Sequence, residues 1–535
     1  MRPRCLTLPF VQLPTPRFFG YPLVWASDSA AFDRILAGGS SGTLIAYHYP
    51  RDERMTRVIL FTVALPFLCA AEPVYSLQGL DNPTPFSISD RGAATYDTSG
   101  TGNGVTVGYA RVQANAGSTM PAGYLVFGFK NNGVLVSEAT VPEVRPVRSG
   151  RIYAAYYGPV NTGVAMVNPN STDAVVSFYF TPGSSFCDCP NPPIGSFTLP
   201  AHSQIARFVN EAPFNVTFGP SLGTMTFSSN VPIGVIALHG RINERSEFLM
   251  TTLPVADLSE PASSAAVFFP QYADGGGWTT DVILVNKTDA TIGGTVQFLG
   301  SGGTTTQYSI APRGMQHILT SGSGSATTVG AIRVTPGAGT ASPSGLSIFS
   351  YKNGGVTVSE AGVPVLRPGQ SFRMFEIEAG SYPGQLQTGL AIANSSSTDT
   401  ATVKLELTNL AGDSTGMTST LTIPPLGHTA AFMKEFPGLE SIPYPFQGVV
   451  RISTTSSSGI AIIGLRGEYN ERKDFLITTS MPVDETTPPS SAEALFPHLA
   501  EGGGYTTEFI LFSGSAGQAS SGSLQFFTPS GAALN

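Results

Sequence analysis

Carboxylates that recur in register are the first residues in this chain that could do chemistry. Glu138 and Glu360 return in matching Val-Ser-Glu-Ala contexts, and Glu244 with Glu247 is answered by Glu471 with Asp474. A pair of carboxyl groups can act as general acid and base at a glycosidic bond. Each of these pairs, however, sits within one hairpin and recurs in every copy of its module, whereas a catalytic pair converges from distant segments and occurs once. The expectation is therefore a solvated turn, with local salt bridges to Arg245 or Arg472. His202, His239, His317, His428 and His498 show neither ligand spacing nor a common place in the repeat, so a metal site or a Ser-His-Asp triad has no positive support. Calcium at Asp257 or Asp274 would need six to eight oxygens, and no dense cluster is visible. No catalytic residue, metal or cofactor is expected.

Three further features carry chemical potential. Gly38-Gly-Ser-Ser-Gly42 fits G-x-S-x-G, but no strand precedes it and no helix follows, so it does not read as a nucleophile elbow. Cys187 and Cys189 are too few for a structural zinc site and lie in a proline-rich loop, where a local disulfide in an oxidising compartment is expected. The best binding candidate is Asp274-Gly275-Gly276-Gly277-Trp278-Thr-Thr280, with its copy Glu501-Gly-Gly-Gly-Tyr505-Thr-Thr507. Three glycines expose backbone, and the following aromatic could stack on a sugar or on a partner surface. The plainer alternative is a bulged strand entry with its aromatic packed inward.

The elements that must hold these residues come from a repeat. Asn132-Gly-Val-Leu-Val-Ser-Glu-Ala-Thr-Val-Pro142 returns at 354–364, Asn243-Glu-Arg-Ser-Glu-Phe-Leu-Met-Thr-Thr-Leu-Pro254 at 470–482, and Phe269-Pro-Gln-Tyr-Ala-Asp274 with its glycines at 496–507. The close matches skip one unit, so two module types alternate as A-B-A-B-A. In the third unit Val267–Tyr272, Asp281–Val285, Thr295–Leu299, Gln307–Ile310, Ala331–Val334, Leu346–Tyr351 and Val356–Ser359 read as short strands bounded by turn residues. With no sustained helical period, the fold expected is all-β, a tandem array of β-sandwich, immunoglobulin-like modules of about 110 residues.

The domain reading is a partial module A1 at 72–145, B1 at 146–258, A2 at 262–367, B2 at 368–485 and a partial A3 at 492–535. Short A-to-B junctions and looser Pro-Ser junctions from B to A predict rigid A-B pairs in an elongated particle. Half sandwiches leave strand edges bare. The simpler explanation is a truncated reading frame. The sharper one is that the last half module completes the first, closing a ring or joining chains head to tail.

Composition narrows the class. The 535 residues carry a net charge of −8, and charged residues make up 12%, about half the usual share. A phosphate-binding surface is not expected, so nucleic acid is excluded as a partner. Met55–Ala71 reads as a signal peptide, with Arg57 before the apolar run Val58–Leu68 and small residues after it, too short to span a bilayer. Residues 1–54 read as a mis-assigned leader without structure, with Met55 as the true start.

The Phe-Pro-x-x-Ala-(Asp/Glu)-Gly-Gly-Gly-(Trp/Tyr)-Thr-Thr motif at 269–280 and 496–507 resembles that of uncharacterised secreted bacterial proteins built from tandem immunoglobulin-like modules. The resemblance covers most of 72–535 and implies export but no activity. In the B units Tyr156-Tyr-Gly158 and Tyr382-Pro-Gly384 replace the glycine loop. The function expected is a non-catalytic structural or adhesive protein, secreted or at the cell surface. The alternative is a glycan-binding array, serving a catalytic domain beyond residue 535. Its partner would be a cell-surface protein or a polysaccharide.

Overall fold

A computed structural model describes residues 79–183, 194–216, 221–300 and 303–534. Residues 1–71, read above as leader and signal peptide, and Cys187 with Cys189 lie outside the described residues. Within them the chain is built of antiparallel strands, and the helical segment is one 3-10 turn, Met433–Glu435. No helix among the described residues is long and apolar enough to cross a membrane.

Module A2 shows the plan. Its strands are Val267–Asp274, Trp278–Val285, Ile292–Leu299, Thr305–Ile310, Met315–Leu319, Thr328–Pro336, Ser344–Asn353 and Val356–Pro364. The first, sixth, third and fourth form one sheet in that order; the fifth, second, seventh and eighth form the other. Apolar residues alternate inward along them, as in Thr305–Ile310, and Phe269, Leu284, Val296, Ile332 and Phe349 meet between the sheets. There are eight strands where seven were expected. The extra one is Met315–Leu319, whose half-exposed residues give little hydrophobic pattern.

B1 and B2 repeat the plan. In B1 the sixth and seventh strands are continuous, as Ser221–Ile242, with a register shift between Ser228 and Ile233 where the chain passes from one sheet to the other.

The two partial modules form a single sandwich. Ala494–Glu501, Tyr505–Phe512 and Ser520–Phe527 supply its first three strands; Thr84–Ile88, Ala93–Asp97, Thr106–Ala114, Ala122–Asn131 and Val134–Pro142 supply the last five. Thr84 to Ile88 pairs with Leu524 to Ser520, and Tyr505 to Phe512 pairs with Phe129 to Ala122. The strand order in both sheets is that of A2. The core is mixed. Phe86, Val112 and Leu125 from one end of the chain pack with Phe496, Phe509 and Phe526 from the other. Asn82 clamps the joint by donating to the carbonyls of Phe526 (2.7 Å) and Leu534 (2.6 Å).

Four sandwiches therefore close a ring, and the expected elongated array is corrected. Their eighth strands, Val134–Pro142, Phe248–Leu253, Val356–Pro364 and Phe475–Ser480, pack around a common axis. Ser137 Oγ accepts from Met250 N (2.9 Å) and Ser359 Oγ accepts from Ile477 N (2.8 Å). Thr251 Oγ1 accepts from Gly362 N (2.7 Å), and Thr478 Oγ1 from Thr140 N (3.3 Å). The recurring Val-Ser-Glu-Ala and Thr-Thr motifs are thus the hydrogen-bonding units of the axis. An apolar cavity of about 240 Å³ lies on it, lined in part by Pro142, Pro254, Pro364 and Met481.

Closure is locked by Arg373 on the first strand of B2, 2% exposed. It donates to Glu485 (2.9 and 2.8 Å), to Asp90 from the amino-terminal part (2.9 Å) and to Ser513 Oγ from the carboxyl-terminal part (2.7 Å). Removing one partner of a buried ion pair costs about 3–5 kcal/mol, because the other charge is stranded. Arg373→Ala is expected to lower unfolding free energy by about that amount, read as the midpoint shift in urea denaturation. Exposed Arg91→Ala should leave the midpoint near wild type.

Candidate functional site

The glycine loops are tight hairpin turns between the two sheets. Gly275 and Trp278 exchange both backbone hydrogen bonds at 2.9 Å, and the intervening Gly276 and Gly277 have φ of +59° and +95°. That is the positive-φ pair of a type I′ turn, which glycine adopts with no Cβ to clash. Gly503 and Gly504 repeat it at +59° and +97°.

The aromatics that follow are packed. Tyr505 is 1% exposed and stacks on Phe129 at 4.4 Å, so its face is closed to a ligand; the expectation of an exposed stacking residue there is corrected. Trp278 is half-buried, stacked on Tyr351 at 4.7 Å. Asp274 accepts from Gly322 N (2.8 Å), and Glu501 is buried. Beside the second loop lies an open cleft of about 800 Å³, lined by Ser99, Phe129, Lys130, Asn131, Asn132, Gly503 and Gly504 among others.

Glu247, Glu360 and Asp474 are buried whereas Glu244 and Glu471 stay exposed, and the salt bridges are not confined to single turns. Arg245 of B1 pairs with Asp474 of B2 at 2.5 Å, and Arg472 of B2 with Glu247 of B1 at 2.5 Å, so the B turns clasp across the axis. A second Arg472 contact, to Asp474 at 3.4 Å, is local. Glu247 and Asp474 are buried, at 5% and 4%. Glu244 accepts from Thr357 N (2.7 Å) and Glu471 from Leu135 N (2.8 Å), each capping the eighth strand of an A module. Slight burial opposes ionisation of Glu244, but Thr357 N–H and Lys352 outweigh it and lower its pKa to about 2. Glu360 is buried beside His239 (3.5 Å) and Arg241 (3.4 Å); Glu138 lies at 3.5 Å from Arg466.

The histidines do not converge. His317 pairs with Asp281 (2.8 Å), His428 with Gln271 (3.0 Å) and His498 with Gln204 (3.1 Å). Burial lowers His428 to about 4 and His498 to about 3, which leaves both neutral near pH 7. Among the described residues no group of three His, Cys, Asp or Glu could hold a metal ion.

Two features were not singled out from the sequence. Tyr382 of B2 does occupy the place of the glycine loop, as the Tyr382-Pro-Gly384 substitution indicates, but its exposure is not legible there. It is 53% exposed, and Tyr444 beside it is 47% exposed. Tyr382 meets Tyr469 edge-on at 5.2 Å, Tyr469 meets Phe475 at 5.1 Å, and Lys473 and Lys434 lie over Tyr382 and Tyr444. Tyr444 Oη donates to Gly380 O, which binds the two loops together.

The second feature is Glu376 with Glu378, on one face of the first B2 strand, both 0% exposed. Lys434 reaches Glu378 at 3.7 Å; Glu376 accepts no hydrogen bond of ordinary geometry among the described residues.

No family model matches the chain, and no curated protein matches it. A solved structure, the native conformation of E. coli alpha-2-macroglobulin, aligns over 82% of this chain and 45% of that one. The identity is 9% and the TM-score 0.11, a likeness too slight to inform the fold or the function.

Burial, followed by the charge of Glu378, raises the Glu376 pKa well above 4.5. The folded state therefore keeps a proton that the unfolded chain loses, and the contribution of Glu376 to stability falls as pH rises above about 4.5. Glu376→Gln is expected to raise the thermal midpoint at pH 8 and to flatten its decline between pH 5 and 8, as measured by calorimetry.

Proposed function

We propose that this chain acts outside the cell as a non-catalytic structural or adhesive protein, a ring of four β-sandwiches that presents its loops to a surface. The observation that carries this reading is the use made of the repeated polar residues. Glu138, Glu360, Glu247 and Asp474 are buried in contacts between modules, and Glu244 and Glu471 cap strands of neighbouring modules. Residues that could have formed an acid/base pair hold the scaffold together. What remains for partners is loop surface, rich in glycine, serine, threonine and tyrosine.

Export is supported by the signal-like order of Met55–Ala71 and by the low charge of the chain. The resemblance of the glycine-loop motif to secreted tandem-module proteins points the same way.

Antibody labelling of intact producing cells and of their medium tests the reading. The protein should be found on the surface or in the medium, with an amino terminus near Glu72. Protein detected only after lysis, with residues 55–71 retained, would contradict it.

A further inference from the structure

The exposed large hydrophobic residues among those described include two aromatics, Tyr382 and Tyr444, and both stand at the same tip of B2. Soluble proteins bury tyrosine rings where they can, so two exposed rings held together invite a partner. They are held firmly, since Tyr444 is hydrogen-bonded to Gly380 and Tyr382 is buttressed by Tyr469. Ligand contact would cost little side-chain entropy.

The tyrosines adjoin the open cleft through the turn Glu471–Lys473. Glu471 pairs with Lys130 of the cleft wall at 3.3 Å, and two residues on, Lys473 lies over Tyr382 at 5.7 Å. The cleft offers the Lys130 ammonium, Asn131, Asn132 and the backbone of Gly503 and Gly504, and the turn Glu471–Lys473 leads from it to the ring of Tyr382. An apolar protein segment would strand those donors and acceptors in the cleft. A sugar chain would satisfy them, because a pyranose carries an apolar C–H face for the ring and hydroxyls at its edge for the polar groups.

We propose that the B2 tip and the adjoining cleft bind a glycan, a chain of β-linked pyranose units that stacks on Tyr382 and reaches Asn131 and Asn132. β-Linked units with equatorial hydroxyls have the flattest C–H faces. This rests on the adhesive reading above and gives it a ligand class.

The test is binding of the full chain to an array of neutral and acidic oligosaccharides, in parallel with adhesion of protein-coated beads to producing cells. Wild type should bind β-linked glycans, and Tyr382→Ala and Lys473→Gln should each weaken binding at least tenfold while unfolding at the wild-type midpoint. Asn132→Gly, which relieves the positive φ of +51° at that turn, separates loss of the amide from loss of fold and should also weaken binding. Absence of glycan binding by wild type, or equal binding by Tyr382→Ala, overturns the proposal. So does loss on Trp278→Ala alone, which would place the contact on A2. Beads that adhere while the array stays blank sink the glycan but keep the adhesive reading; beads that do not adhere sink that reading.

Discussion

Among the described residues, strands Thr84–Ile88 and Thr106–Ala114 find no strand partner in the amino-terminal part of the chain. Both are met by Ser520–Phe527, which lies between them in one sheet. Unpaired edges invite association with other chains, and full closure is the most complete way to remove them. Here the closure operates on whole modules. The chain ends share one hydrophobic core, so the first five strands gain their packing only when the last three arrive. The contacts that this joint sandwich makes with its neighbours, among them the Ser137–Met250 bond of the axis and the Arg373 latch, presuppose that joint.

Alternation of A and B modules has a physical basis in this arrangement. The axis has approximate twofold character: Ser137 and Ser359 serve one role, Thr251 and Thr478 another, and Arg245–Asp474 is mirrored by Arg472–Glu247. Four identical units could not place an arginine opposite an acid at every step of the B–B clasp and a capping glutamate at every A strand. Two unlike units, used twice, can. One contact has exchanged its members: Gln204 meets His498 in one interface, and His428 meets Gln271 in the other.

Much of this architecture is legible in the residues. The all-β sandwich plan and its repetition along the chain follow from short apolar runs and recurring motifs. Met315–Leu319 is not legible, because a half-exposed edge strand has no clean alternation. Nor is the partner of each charge. Arg245 and Glu247 are neighbours in sequence, so a local bridge is the natural reading, and only the ring shows that each reaches the other B module. Trp278 and Tyr505 follow turns that look exposed, yet neighbouring strands supply Tyr351 and Phe129 for them to stack upon. Conversely, Tyr382 is a lone tyrosine in sequence and acquires its surroundings from loops far along the chain.

The scaffold thus uses Glu247, Glu360 and Asp474 between modules and leaves Tyr382 and Tyr444 exposed. That division depends on closure within one chain, which a cross-link measures directly. Ser87 and Ser521 face each other across the amino- and carboxyl-terminal strands, in antiparallel register. Paired residues there lie about 4.5–5.5 Å apart, within disulfide range. With the native cysteines replaced by serine, Ser87→Cys with Ser521→Cys should oxidise in dilute solution to a cross-linked monomer. Disulfide-linked dimers or longer chains, with no cross-linked monomer, would contradict closure of the ring within one chain.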